Sequence, residues 1–476
     1  MLCYLSVRGR SIAVTFKMYS LLTLLLAVSV ASSPLDKRVS GTSVVNLNIN
    51  TGPPGHLASG ILYGIPDTPN QIPDHFYTDI GFNYARAGGA QVAAPGRGWI
   101  WGLSEYKARF ASALSNYKTA RKYNAPFIFL IHDLWGADGT QNSSAPYPGD
   151  NEDWTSWDSY LTQWISDIKA NGATAGLSVD IWNEPDLTVF WNRGQAQYIQ
   201  MWGRTYHRLR NELPGVLLIG PAYSAQPNPS NTWWTNYLSF VKSNASVPDQ
   251  YVWHMETGGG DMQGANGALQ TMLNTYGLPN KPLNIDEYAI YSEECPSGAA
   301  WWISQLERVN AIGLRGNWLS GYQLHDFMAS LVSKPDATSN YSPTSGGYFP
   351  NGEFQVYKYY NKNMTGHRVS SLPSADLKLD TYATVGTDMV RVLTGVRITT
   401  GTWQVTINGL SSVGLPTSGS LNIHTWGFPF TGGHFGEVES PNDLGYYSHD
   451  YSGDSVTFPI YQTDISTAYA FEFAVK

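Results

Sequence analysis

The chain has 476 residues, a formal net charge of −8, 13% aromatic and 14% charged residues; it is too long for one small domain, and its acidic balance argues against nucleic acid or an anionic membrane as partner. Sparse charge with abundant Trp and Tyr suits a secreted protein that handles sugars, whose C–H faces stack on flat aromatic rings. Of its two cysteines, Cys3 falls in a leader and Cys295 has no partner, so no disulfide is expected in the mature chain.

Lys17, the apolar run 21–30 and Ala31-Ser32-Ser33 form the n-region, h-region and cleavage zone of a secretory signal over 1–33, too short for a stop-transfer helix. Lys37-Arg38 reads as a dibasic processing pair in a propeptide or linker, 34–45. Sequons at Asn142, Asn244, Asn340 and Asn363 add N-glycosylation to a secreted, extracellular chain. Residues 44–49 alternate apolar and polar like a half-buried strand placed to join a carboxy-terminal sheet.

Over 46–365 strand and helix patterns alternate. Strands are expected at 62–65, 79–86, 127–131, 177–182, 216–220, 252–255, 282–288 and 316–319, with helices at 104–123, 154–170, 195–213, 236–242, 267–276, 299–311 and 353–364. That order predicts an α/β fold, a (β/α)8 TIM barrel. Beyond Gly366, short alternating runs at 389–396, 403–407, 421–424, 456–460 and 468–473 predict a β-sandwich over 366–476. With no Gly/Ser linker between them, the two should dock.

Two predicted strands end on a glutamate. The run 177–182 enters Asn183-Glu184-Pro185, where Pro185 has no N–H to continue a ladder, and 282–288 carries Asp286-Glu287-Tyr288. Strand tips hold the chemistry of a parallel barrel. Cleavage of a glycosidic bond with retention needs one carboxylic acid to protonate the leaving oxygen and one carboxylate to attack C1, about 5–5.5 Å apart. Arg86, at the tip of the second strand, is placed to hold a carboxylate in its charged state.

Asn183-Glu184-Pro185 after the fourth strand, Glu287 on the seventh, Gly220-Pro221-Ala222 on the fifth and a Tyr-rich last helix resemble the clan A retaining glycoside hydrolases, most like family 39, over roughly 60–365. Glu287-Tyr288-Ala289 departs from what usually follows the nucleophile in that family. The resemblance implies a carbohydrate substrate, Glu184 as acid/base, Glu287 as nucleophile, Asn183 on the sugar 2-OH, and neither cofactor nor metal. Glu184 is then expected to be raised in pKa by its neighbour, and Glu287 kept ionised by donors such as Arg86. His132 and His254 read as tip residues that contact sugar or orient the nucleophile. Tyr223 and Trp318, with Trp101, Trp135 and Tyr322, are candidates for a sugar platform. Asp286 alternates to the opposite strand face from Glu287, the parity of Asp180 with Glu184 depends on where its strand ends, and Glu293 and Glu294 lie past the tip. His132, His254 and His325 show no metal-ligand spacing, and no Gly-x-Ser-x-Gly elbow occurs. The alternative is a non-catalytic carbohydrate-binding protein on the same scaffold, which needs neither glutamate. The sugar, the linkage, exo or endo action and the oligomeric state have no signature in the sequence.

Overall fold

The computed structural model describes residues 39–476, which form one compact unit. The leader, Cys3 and Lys37-Arg38 lie outside the described residues. Strand β1 (Thr42–Gly52) begins inside the segment expected to be a propeptide or linker, and the expectation is corrected there: Val45 is fully buried in a sheet.

Eight parallel strands close the barrel: β2 (Gly60–Leu62), β3 (Tyr84–Ala87), β4 (Phe127–Leu130), β5 (Leu177–Asp180), β6 (Leu217–Tyr223), β7 (Gln250–Met255), β8 (Leu283–Tyr288) and β9 (Ala311–Arg315). They are buried along nearly their whole length; β4 is a continuous apolar run, whereas β5 and β8 alternate apolar and polar residues. Most of the surrounding helices bury one face. In Gln195–Glu212 that face is Tyr198, Met201, Trp202, Thr205 and Leu209, a helical spacing. Side chains of Asn231, Asp261 and Asn351 cap three helices by accepting backbone N–H groups.

Three strands depart most from expectation. Tyr63 has φ of 52°, which turns the chain out of β2 before 63–65 can pair. Asp74–Asp79 is a helix, so the second strand starts only at Tyr84. The eighth strand is Ala311–Arg315 rather than 316–319, because Asn310 in the left-handed region ends helix Pro296–Val309 and pairing starts at the next residue. Trp318 therefore stands on the loop after the last strand.

Past the short pair β10 (Val332–Ser333) and β11 (Phe349–Pro350) and helix Gly352–Lys362 comes the β domain: β12 (His367–Leu372), β13 (Leu379–Val385), β14 (Met389–Val396), β15 (Gly401–Asn408), β16 (Gly419–Phe428), β17 (Asn442–Tyr451), β18 (Ser455–Gln462) and β19 (Ala468–Ala474). With β1 they form one nine-stranded sheet, ordered β17-β16-β19-β14-β13-β12-β1-β15-β18. Its two end strands, β17 and β18, are consecutive and touch, so the sheet rolls over a core that includes Val390, Val392, Val405, Ile407 and Phe458. β1 pairs with β12 antiparallel and with β15 parallel, the role anticipated for 44–49.

The barrel and the sheet share helix Pro296–Val309, which is buried almost throughout and packs on β13, β14 and β19. The approach is close. A Cβ on Gly395 would lie 2.1 Å from Ser297 O. Arg397 Nε donates to Glu293 Oε1 at 2.5 Å, and Asp380 accepts from Gln305 Nε2 at 2.6 Å and Arg308 Nη1 at 2.8 Å.

Candidate active site

The site grows from how the strands end. After Asp180 the chain leaves β5, and Glu184 adopts φ of 39° with its N–H donating to Ala222 O at 2.9 Å. Ala222 is itself at φ of 54°. Two non-glycine residues in this region cost about 1–2 kcal/mol each, held by the surrounding fold. On the other side, β8 is irregular against both neighbours, with register shifts between Val252 and His254 and between Ile285 and Tyr288. The bulge breaks strand parity, and Asp286 and Glu287 both turn toward Arg86.

Arg86 is fully buried and joins the tips. Its Nη2 donates to Asp180 Oδ2 at 2.7 Å and Asn183 Oδ1 at 2.6 Å, its Nε lies 2.9 Å from Asp286 Oδ2, and its Nη1 donates to Glu287. Opposite it, the buried His254 ring has Nδ1 2.9 Å from Glu184 Oε1 and Nε2 3.3 Å from Asp286 Oδ1 and 3.7 Å from Glu287 Oε1. One imidazole thus spans both candidate glutamates. Burial opposes its charge, but Glu287, Asp286 and Glu184 together hold His254 well above its usual pKa, as an imidazolium. Burial also pushes Glu287 up, against the pull of His254 and Arg86. The donors expected to keep Glu287 ionised, Arg86 and with it His254, thus act against its burial.

The cleft over these groups has a volume of ≈ 230 Å³ and is lined by His132, Asn183, Glu184, Glu256, Glu287 and Trp318 among others. His132 is buried, 2.9 Å from Asp133 through Nε2, and packs on Trp182 and Phe190. Trp318, 45% exposed, donates its Nε1 to Ala289 O and stands at the rim. His254 supports the glutamates from beneath the lining. Tyr223 is corrected: it is buried among Tyr198, Trp233, Trp234 and Tyr237, with its hydroxyl on Trp233 O, because the register shift between Pro221 and Tyr223 turns it away from the cleft. Trp135 packs in the core against Trp157 and Tyr160. Trp101 is exposed under the Arg97 guanidinium and Tyr322 is exposed, both outside the cleft lining. Asp286, assigned to the opposite face by parity, belongs to the buried cluster, and so does Asp180.

Sequence reasoning missed Tyr63, Asp133 and Glu256. Tyr63 OH donates to Asp133 and accepts from Gly88 N at 2.9 Å and Ala90 N at 3.0 Å, which fixes the cleft floor. Glu256 follows His254 by two residues, just beyond the end of β7.

No protein-family model and no curated protein sequence matches the chain. Solved structures do. N2152 from Neocallimastix frontalis is similar over 92% of this chain and 100% of its own, with a TM-score of 0.71 at 21% identity. The glycoside hydrolase family 30 subfamily 8 xylanase Xyn30A from Clostridium acetobutylicum aligns with 91% of this chain and 100% of its own, at a TM-score of 0.55 and 15% identity. The alpha-L-arabinofuranosidase from Thermotoga maritima gives 0.55 and 11% over 92% and 100%. These likenesses establish the fold.

On this barrel fold the cleft lies at the carboxy-terminal ends of the strands, where such barrels place their chemistry. Donor atoms of Glu184, His254 and Glu256 fall within 4.8 Å of one another. In that group the His254 Nδ1 already contacts Glu184 Oε1 at 2.9 Å. What the arrangement can do is move protons and place one ionised carboxylate against an electrophilic carbon.

Proposed function

We propose that the chain is a retaining glycoside hydrolase that cleaves O-glycosidic bonds of oligo- or polysaccharides by double displacement. One observation carries the reading: Glu184 and Glu287, from the ends of β5 and β8, meet at one cleft and at one imidazole, with Arg86 on Glu287 alone. In the first step a Glu287 oxygen attacks C1 while the bond from C1 to the leaving oxygen breaks, and Glu184 gives that oxygen its proton. In the second, water attacks C1, Glu184 takes the water proton, and the bond from C1 to Glu287 breaks. Arg86 and His254 stabilise the charge that returns to Glu287, so they favour its departure. Asn183, oriented by Arg86, is placed for the sugar 2-OH, and Trp318 offers an aromatic face at the rim.

Membership of clan A, and family 39 within it, is supported by Asn183-Glu184-Pro185 and Gly220-Pro221-Ala222. Secretion is supported by the leader pattern and the sequons: protein from a eukaryotic culture should begin between residues 32 and 40 and shrink on deglycosylation. A panel of aryl glycosides and plant or fungal polysaccharides, with the anomer of the first product read by NMR, tests the function. Turnover with retention supports it. Binding without turnover on every substrate favours the carbohydrate-binding alternative.

A further inference from the structure

The β domain carries a groove that the chemistry of the barrel does not use. β17 and β18 leave one turn, are bridged among the described residues only at Ser452 and Ser455, and then pair with different neighbours, β16 and β15. As the two ends of the sheet, they face each other with backbone edges outside any ladder. Along β17 one face runs from buried Tyr451 through half-buried His449 to Tyr447, 54% exposed, so the core gapes between the strands. The opening has a volume of ≈ 340 Å³, with Tyr447 on one strand, Tyr461, 52% exposed, on the other, and the buried Thr425 and Phe471 of β16 and β19 between them. That size and that aromatic lining suit a small-molecule site.

Three features choose the occupant. No Asp, Glu, Lys or Arg lines the groove among the described residues, and burial holds His449 below its usual pKa, so an ionic ligand would lose its hydration uncompensated. The Thr425 hydroxyl and the His449 ring nitrogens make no hydrogen bond to the described residues, and a hydrocarbon would bury them unpaired. A peptide strand cannot extend the sheet along β18, because Pro459 in the groove lining has no N–H. An uncharged sugar meets all three conditions: its hydroxyls pair with the polar groups, and its C–H faces cover the flat rings.

We propose that this groove is a second carbohydrate site, which holds an uncharged oligosaccharide segment with its rings on Tyr447 and Tyr461 and its hydroxyls on Thr425, His449 and the strand edges. The site stands apart from the roles of Glu184 and Glu287.

The test is affinity electrophoresis of the full chain in gels that each hold one polysaccharide: arabinoxylan, galactomannan, hydroxyethylcellulose or laminarin, which are uncharged, or polygalacturonate, which is acidic. At least one uncharged polymer should retard the protein, and polygalacturonate should not. Tyr447→Ala and Tyr461→Ala should each raise the apparent Kd about 10-fold, and the double variant should run as in a blank gel. Both rings are more than half exposed, so neither change opens the core. On a small aryl glycoside, Tyr447→Ala should keep kcat/KM within about 2-fold of wild type, which separates the groove from the cleft. Retardation by no uncharged polymer, or by polygalacturonate alone, overturns the proposal. Retardation unchanged in the double variant also overturns it, and its loss in Trp318→Ala would then place the binding in the cleft. An aryl glycoside panel left wholly uncut overturns instead the glycosidase reading, and the gel result stands without it.

Discussion

Arg86→Met replaces the buried guanidinium with an apolar side chain of similar length and leaves Asp180, Asp286 and Glu287 without it, contacts that stand at 2.7 Å and 2.9 Å for the two aspartates. Removing one partner of a buried pair costs about 3–5 kcal/mol. Three such losses do not add, because carboxylates left uncompensated take up protons rather than stay charged. The expected cost at neutral pH is therefore about 3–5 kcal/mol in all. The sign with pH follows. Asp180 and Glu287 are already raised by burial, and loss of Arg86 raises them further, so the folded variant binds more protons than folded wild type. Its deficit is then smallest in acid and grows as pH rises through those raised values. Urea unfolding of both proteins at about pH 5 and about pH 8 measures this. Arg86→Lys should fall between them in stability, since an ammonium keeps the charge but lacks the planar fork. A deficit below about 1 kcal/mol, or one constant with pH, would refute the idea that Arg86 balances these carboxylates.

Glu294 is buried 3.0 Å from Arg315 Nη1 and 3.7 Å from His434 Nε2, and burial pushes it up to about 8. A carboxyl with a raised folded pKa contributes stability that is full below its ordinary value of 4.5 and is lost as pH rises toward 8. Glu294→Gln should flatten the fall in Tm across that window, and an unaltered fall would contradict it. Removing residues 367–476 strips the cover from helix Pro296–Val309 and should leave insoluble barrel; a soluble, active truncation counts against the docked arrangement. Trp318→Ala should lower kcat/KM about 10-fold, mainly through KM, by loss of a stacking face. Unchanged kcat/KM would remove Trp318 from the sugar site.

The barrel was legible because most of its strands are short, largely apolar runs followed by a helix with a 3.6-residue period, and the two tip glutamates because each stands at the end of such a run. Parity failed where the ladder is irregular. Asp286 and Tyr223 both sit at register shifts, one turned toward the cluster and one away from the cleft. Glu256 lies beyond the end of β7, where an apolar pattern no longer marks orientation. β17 was missed because it is exposed on nearly every residue, so it has no alternation to read. The pKa ordering of the site was not legible at all. It depends on how many carboxylates converge on Arg86 and His254, which only the folded chain brings together.

The roles of the two glutamates are tested most directly by azide rescue of the two alanine variants on an activated aryl glycoside. Glu184→Ala should still form the glycosyl-enzyme, because that leaving group needs little protonation, and azide entering the vacated space should give a glycosyl azide of retained configuration. Glu287→Ala should lose turnover on every substrate and, with azide, give the inverted product. Identical kinetics for the two variants, or an inverted product from the wild-type enzyme, would contradict the assignment.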